Sequence, residues 1–169
     1  MEYFTESELI AVKRQRNKLL TIYLIILAIF VILSVGLFIW YRLLPYGSNH
    51  DIIIRLIAYP LTAVFVVFSF IFLGIPYKRA NKYYLLCTHL KNGIRETSEG
   101  EFLQYDESKT IKDGVDMKAL VFIEKSGYKG RDFERKVLVF YEKPFPEFIK
   151  GERVKYITQG NTLINYEKI

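Results

Sequence analysis

The chain of 169 residues has one cysteine, two histidines and one tryptophan, and no charged residue from Leu19 to Tyr41 or from Leu56 to Tyr77. Each scarcity excludes something. The lone cysteine, Cys87, cannot form an internal disulfide and fits a reducing compartment. His50, His89 and Cys87 are too few and too scattered for a metal centre, which takes three or four ligands. Cys87 and His89 are two apart, so a helix turns them to different sides, with no third group to orient a nucleophile and base. There is no glycine-rich phosphate cradle and no Gly-x-Ser-x-Gly nucleophile turn. Asp106-Glu107 and Asp113-Gly114-Val115-Asp116 lack the alternating oxygen ligands of a calcium loop and read as a polar loop between strands. The expectation is a non-enzymatic protein with no cofactor, no metal and no catalytic residue.

The two charge-free runs are the largest positive signal. A spanning helix needs about 20 mostly apolar residues. The first run has 23 residues, about 34 Å of helix. Sixteen of them are Leu, Ile, Val or Phe. At roughly −0.3 to −0.6 kcal/mol each in mid-membrane, they sum to about −5 to −10 kcal/mol. A cleaved signal peptide is the competing reading, but its apolar core is about 7–15 residues and ends in a small-x-small site absent here. The second run follows Arg55, which can snorkel to the headgroups, and contains Pro60, which points to a bend near Ala58. Intramembrane ionisable groups, the mark of proton relays and ion paths, are missing.

Basic residues give the orientation. Lys13, Arg14, Arg16 and Lys18 precede the first run, and Lys78, Arg79 and Lys82 follow the second, against Arg42 and Arg55 around the connection. Seven against two places both termini in the cytoplasm. Trp40 and Tyr41 fit the outer interfacial belt, Tyr77 the inner one. Pro45, Gly47 and Asn49 are turn formers between the spans. Thr5 and Glu8 have the spacing of a capping box, so a helix starts near Glu6.

From Lys78 the composition changes to 18 Lys or Arg and 14 Asp or Glu, a net charge of +4. A helix is predicted from Asn81 to Lys91, stopping at Asn92-Gly93. Strands are predicted at Gly100–Tyr105, Lys118–Lys125, Phe133–Lys143, Arg153–Thr158 and Leu163–Tyr166, with a turn over Gly127–Asp132 and another at Gly160-Asn161. In the third strand Val137, Val139, Tyr141 and Leu138, Phe140 make both faces apolar, as for a central strand. Pro144 and Pro146 end its pairing.

The fold class expected is membrane α+β: a two-helix transmembrane hairpin and a small all-β cytoplasmic domain, either an oligonucleotide/oligosaccharide-binding (OB)-like barrel or an open antiparallel sheet. The divisions are 1–18 (amphipathic, basic helix), 19–44 and 52–77 (transmembrane helices), 45–51 (external loop), 78–93 (juxtamembrane helix) and 94–169 (β-domain). Spans ahead of a small carboxy-terminal barrel are similar in layout to NfeD-type proteins, a likeness that assigns no residue a role. Lys150, Arg153, Lys155, Tyr156 and Tyr166 form a candidate interaction face of alternating basic and aromatic groups. Glu147, Glu152 and Glu167 dilute it, which disfavours nucleic acid. The functional expectation is a scaffold in a bacterial-type cell membrane, its partners the lipid bilayer and a protein or second copy. The alternative is a module binding anionic lipid headgroups or nucleic acid on the barrel.

Overall fold

The computed structural model describes residues 2–45, 50–125 and 132–169. They fall into two units: Arg14–Asn81, and the chain up to Lys13 together with Lys82–Ile169.

Helix α1 runs Glu6–Leu43, 38 residues. Half of the capping box forms at its start. The Glu8 carboxylate accepts the Thr5 N–H at 3.5 Å, but the Thr5 hydroxyl turns to Ser7 at 2.9 Å. The basic segment and the apolar run are one helix, because no Gly or Pro interrupts residues 6–35. Helix α2 spans His50–Phe72 with Pro60 inside, and passes through a π-helical turn, Leu73–Tyr77, into α3, Lys78–Asn92. The sequence points to Pro60 as the irregular place; the π-turn lies at Pro76. Pro76 has no amide N–H to continue the ladder, and Lys78 N–H reaches back to Leu73 C=O as well as Ile75 C=O. His50, expected in the connection, is the first residue of α2, while Gly47 and Asn49 lie outside the described residues.

Two helical stretches, Glu6–Leu43 and Ile52–Asn92, are long and apolar enough to cross a membrane. Within Arg14–Asn81, Phe30 stacks on Phe65 at 4.0 Å and Tyr23 on Phe72 at 6.0 Å. Rising numbers on α1 meet falling numbers on α2, so the two helices are antiparallel.

Strands β1 (Glu96–Lys112), β2 (Val115–Lys125), β3 (Asp132–Phe140), β4 (Arg153–Gln159) and β5 (Thr162–Lys168) close into a barrel in the order β1-β2-β3-β5-β4, β4 pairing back on β1. The open sheet is thereby replaced by a closed one. The first strand is far longer than Gly100–Tyr105. Its start, Glu96–Glu101, pairs with β4 and its remainder with β2. Gly100 sits where the partner changes, and a Cβ there would lie 3.1 Å from both Ile123 O and Phe122 Cβ. Asp106 and Glu107 belong to β1 and Asp116 to β2, so the expected polar loop reduces to Asp113-Gly114. Asp113 and Gly114 (φ 53° and 76°), like Gly160 and Asn161 (φ 51° and 66°), are two-residue turns with positive φ throughout, the I′ type that such residues favour. Strand β3 ends at Phe140, earlier than expected. Tyr141 N–H makes the last rung to Asp116 C=O at 3.1 Å, and Lys143 N–H then turns back to Phe140 C=O. The turn expected over Gly127–Asp132 lies, but for Asp132, outside the described residues.

Alternation along the strands sends Phe102, Leu120, Phe122, Val137, Val139, Val154, Tyr156 and Leu163 inside. The connection from β3 to β4 adds Phe148, whose ring lies 5.4 Å from Phe102 and 5.9 Å from Phe122. Tyr105 Oη fixes this connection: it accepts Phe148 N–H at 2.7 Å and lies 3.0 Å from Pro146 C=O. A second apolar cluster sits outside the barrel. Leu86, Cys87 and Leu90 of α3 cover Val115, Met117, Phe140 and Ile164. Both faces of β3 are therefore covered from Val137 to Phe140, while most of its first half and Tyr141, expected on an apolar face, are exposed because no described element packs over them.

The amino-terminal segment completes that cluster. Tyr3 and Phe4 N–H groups both bond Ile164 C=O, at 2.9 and 3.1 Å, and Phe4 is buried beside Leu86 and Leu90. Lys143 donates to Tyr3 C=O at 2.7 Å and pairs with Glu8. Cys87 lies beneath. Burial, then the nearby Glu8 charge, push its thiol up to about 12 from 9.0. The neutral thiol is the form the fold accepts, so stability is intact below pH 9.0 and falls as pH rises from 9.0 towards about 12. In the native full-length chain at pH 7.5, maleimide modification of Cys87 is expected to be at least ~100-fold slower than in SDS. Equal rates would mean that α3 does not pack on the barrel.

Candidate functional site

Strand β4 decides the fate of the predicted basic-aromatic face. Its alternation turns Val154, Tyr156 and Thr158 inward and Arg153 and Lys155 outward. Tyr156 is fully buried against Phe122 at 4.5 Å, so it cannot share a surface with the lysines and arginine. Tyr166 is half-buried, edge-on to Phe148 at 5.1 Å. Lys150 is exposed in the turn before β4. Arg153 and Lys155 each face a carboxylate of β1, Glu101 and Glu99, at 3.8 Å. An array of stacking rings over free cations is not what forms.

The inward phase instead gathers a polar group that the sequence reading passed over. Glu124 of β2 and Arg135 of β3 occupy core-facing positions, in step with Phe122 and Val137. Both side chains are only 12% exposed. Arg135 Nη1 donates to Ser98 Oγ at 2.8 Å and Glu124 Oε1 at 3.3 Å. Its Nη2 donates to Glu96 at 2.6 Å, Asn161 Oδ1 at 3.1 Å and Thr158 Oγ1 at 3.4 Å. Tyr156 donates its hydroxyl to Glu124 Oε1. Burial and this bond hold the Tyr156 phenol well above its ordinary range. The Arg135 hydrogen bond, then its charge, hold the Glu96 carboxyl below the usual range.

The position explains the chemistry. Among the described residues β3 and β5 are joined at one register pair, Leu138 with Thr162. Where backbone pairing runs out, Arg135 ties β3 to β1, to β4 and to the β4–β5 turn. Lys112 does the same from β1, donating to Gly160 C=O and, at 2.9 Å, to Thr162 Oγ1. These donors are consumed in closing the barrel. The sequence does carry a signal for the group: a charge at a core-phase position on each of two neighbouring strands.

Among the described residues several other titratable groups of the barrel are held in ion pairs. Asp106 binds Lys136 at 2.8 Å and the Ser108 N–H at 3.1 Å, and these bonds hold its carboxyl down to about 2. Asp116 pairs with Lys109 at 2.9 Å. His89 is exposed while Cys87 is buried, and among the described residues no three His, Cys, Asp or Glu could hold a metal ion.

The predicted membrane-interface residues divide between the units. Arg14, Arg16, Lys18, Trp40, Tyr41, Tyr77, Lys78 and Arg79 lie in the helical one. Lys13 and Lys82 lie in the barrel unit, and the Lys82 side chain rests on Gly114 in the β1–β2 turn. Lys82 is thus a packing residue. In the helical unit, Tyr23, Phe65, Val66, Ser69, Phe70, Leu73 and Gly74 line a groove of about 620 Å³. Positions 66, 69 and 70 of α2 and 73 and 74 of the π-turn follow helical spacing along one stripe. Tyr23 closes one side, its hydroxyl 3.4 Å from Ser69 Oγ.

Comparison of the chain with protein-family models, with curated proteins and with solved structures finds no match.

Proposed function

We propose that this chain is a non-enzymatic, membrane-anchored interaction protein: α1 and α2 cross a bilayer as a hairpin, both ends lie in the cytoplasm, and the barrel is held there for a protein partner or a second copy. The strand order, with β3 and β5 parallel, supports reading the barrel as OB-type. Such barrels take oligonucleotides on the β2–β3 face and the β1–β2 and β4–β5 loops. Here α3 and Phe4 occupy the outer side of Met117 and Phe140, and both loops are two-residue turns. That self-covered face is the observation that carries the interaction reading over the nucleic-acid one.

Beside its ion pairs the surface that remains exposes several large apolar groups, two of which flank the start of β2. Ile111 (69% exposed) faces Asp116, which Tyr141 (45% exposed) meets on its other side. Interfaces favour such exposed aromatic and aliphatic groups. The full-length chain, solubilised in mild detergent, is expected to run as a dimer or with a stoichiometric partner by light scattering, and I111E/Y141E as a lone monomer. A wild-type monomer with nothing bound sinks the reading. For topology, one cysteine at Glu107 in a C87A background should react with an impermeant maleimide only after cells are permeabilised. Labelling of intact cells inverts the orientation.

A further inference from the structure

Resting on the membrane-anchored reading above, we propose that the groove between α1 and α2 is a site for one anionic phospholipid, an acyl chain along the α2 stripe and the headgroup among Arg14, Arg16, Lys18, Lys78 and Arg79. Three observations meet here. The groove, about 620 Å³, is walled by Phe65, Val66, Phe70 and Leu73 and floored at Gly74 by bare backbone. A Cβ at Gly74 would meet nothing within 4 Å, so the space above it is open. Antiparallel packing then brings the basic groups of both helices to one end of this groove. Lys18 precedes Tyr23 by five residues and Lys78 follows Gly74 by four, each about 6–8 Å along the axis.

Charge complementarity selects the occupant. Over residues 14–81 of the sequence the only acid is Asp51, the second residue of α2, at the opposite end. Five cations around an apolar groove suit an amphiphile with one negative head and a hydrocarbon tail. A second copy of these helices would bring five more positive charges to the same level. A zwitterionic lipid would fill the groove without answering the charge. The hydroxyls of Tyr23 and Ser69 give the groove one polar spot in an otherwise apolar wall, at a depth an ester carbonyl could reach.

The test uses the full-length chain in nanodiscs of phosphatidylcholine with one tenth phosphatidylglycerol, and native mass spectrometry of the lipid that stays bound on release. The wild type is expected to retain phosphatidylglycerol well above its share of the disc. Each basic group near such a headgroup contributes about fivefold, so K78Q/R79Q should lower the retained ratio about 25-fold, towards bulk composition. Gly74→Leu leaves every charge in place and fits the open space without strain, yet should displace the chain and lower the ratio as well. Retention equal to bulk composition in the wild type overturns the site while leaving the anchor intact. So does a Gly74→Leu protein that retains as much as the wild type. Full-length chain left in the supernatant after ultracentrifugation without detergent overturns anchor and site together.

Discussion

Replacing Arg135 by leucine is expected to lower the stability of the barrel unit by about 3–5 kcal/mol, the range for removing one partner of a buried ion pair. Among the described residues Glu124 would keep the Tyr156 hydroxyl alone as a donor, with its side chain 12% exposed, and Ser98, Thr158 and Asn161 would lose the Arg135 donor. A domain of this size has only about 5–15 kcal/mol in all, so the effect is large. Cys87 supplies the readout, being the sole thiol and buried on the barrel-facing side of α3. Its modification in rising urea follows the opening of this unit, and the midpoint for Arg135→Leu should fall by about 1–5 M. The double variant R135L/E124L separates closure from charge. Without the orphaned carboxylate, part of the loss should return, because apolar pairs of similar volume often replace buried ion pairs at little cost. If the single variant unfolds at the wild-type midpoint, the network does not close the barrel.

That network marks a limit of what the sequence makes legible. The positions of β2 to β5 can be read from alternation and turn chemistry, because buried β-formers such as KALVFIEK and KVLVF are flanked by Gly, Asn and Pro. Residues 106–112 of β1 cannot. DESKTIK is polar and exposed on both sides, and pairs as a strand only because β2 offers a partner ladder. Tertiary context outweighs local preference there. The misplacement of Tyr156 has a similar origin. Arg153 and Lys155 just before it are basic, but at period two its true companions are Val154 and Thr158, which face the core. A one-residue change of phase moves a side chain from solvent to interior. Arg135 and Glu124 were visible as charges yet sat in the apolar phase. Only the closing register makes them partners.

Nothing in the sequence foretells that residues 2–4 dock on β5, since a terminal Glu-Tyr-Phe has no period and no turn signal. Phe4→Ala tests it. Phe4 is 7% exposed in the cluster that contains Cys87 and Leu90, and truncating a buried phenylalanine costs about 3–5 kcal/mol. A terminal segment can relax, so about 3 kcal/mol is expected. Local opening would then be about 100-fold more frequent, and native-state labelling of Cys87 faster by the same factor. Tyr3→Phe is the control. The Tyr3 hydroxyl is buried without a hydrogen-bond partner among the described residues, so its removal should leave labelling unchanged or slow it. Its backbone bonds to Ile164 and Lys143 survive that change. A tenfold or smaller response to Phe4→Ala would mean that the segment leaves the barrel in solution. The β2–β3 face would then be guarded by α3 alone, and the case against a ligand on that face would weaken with it.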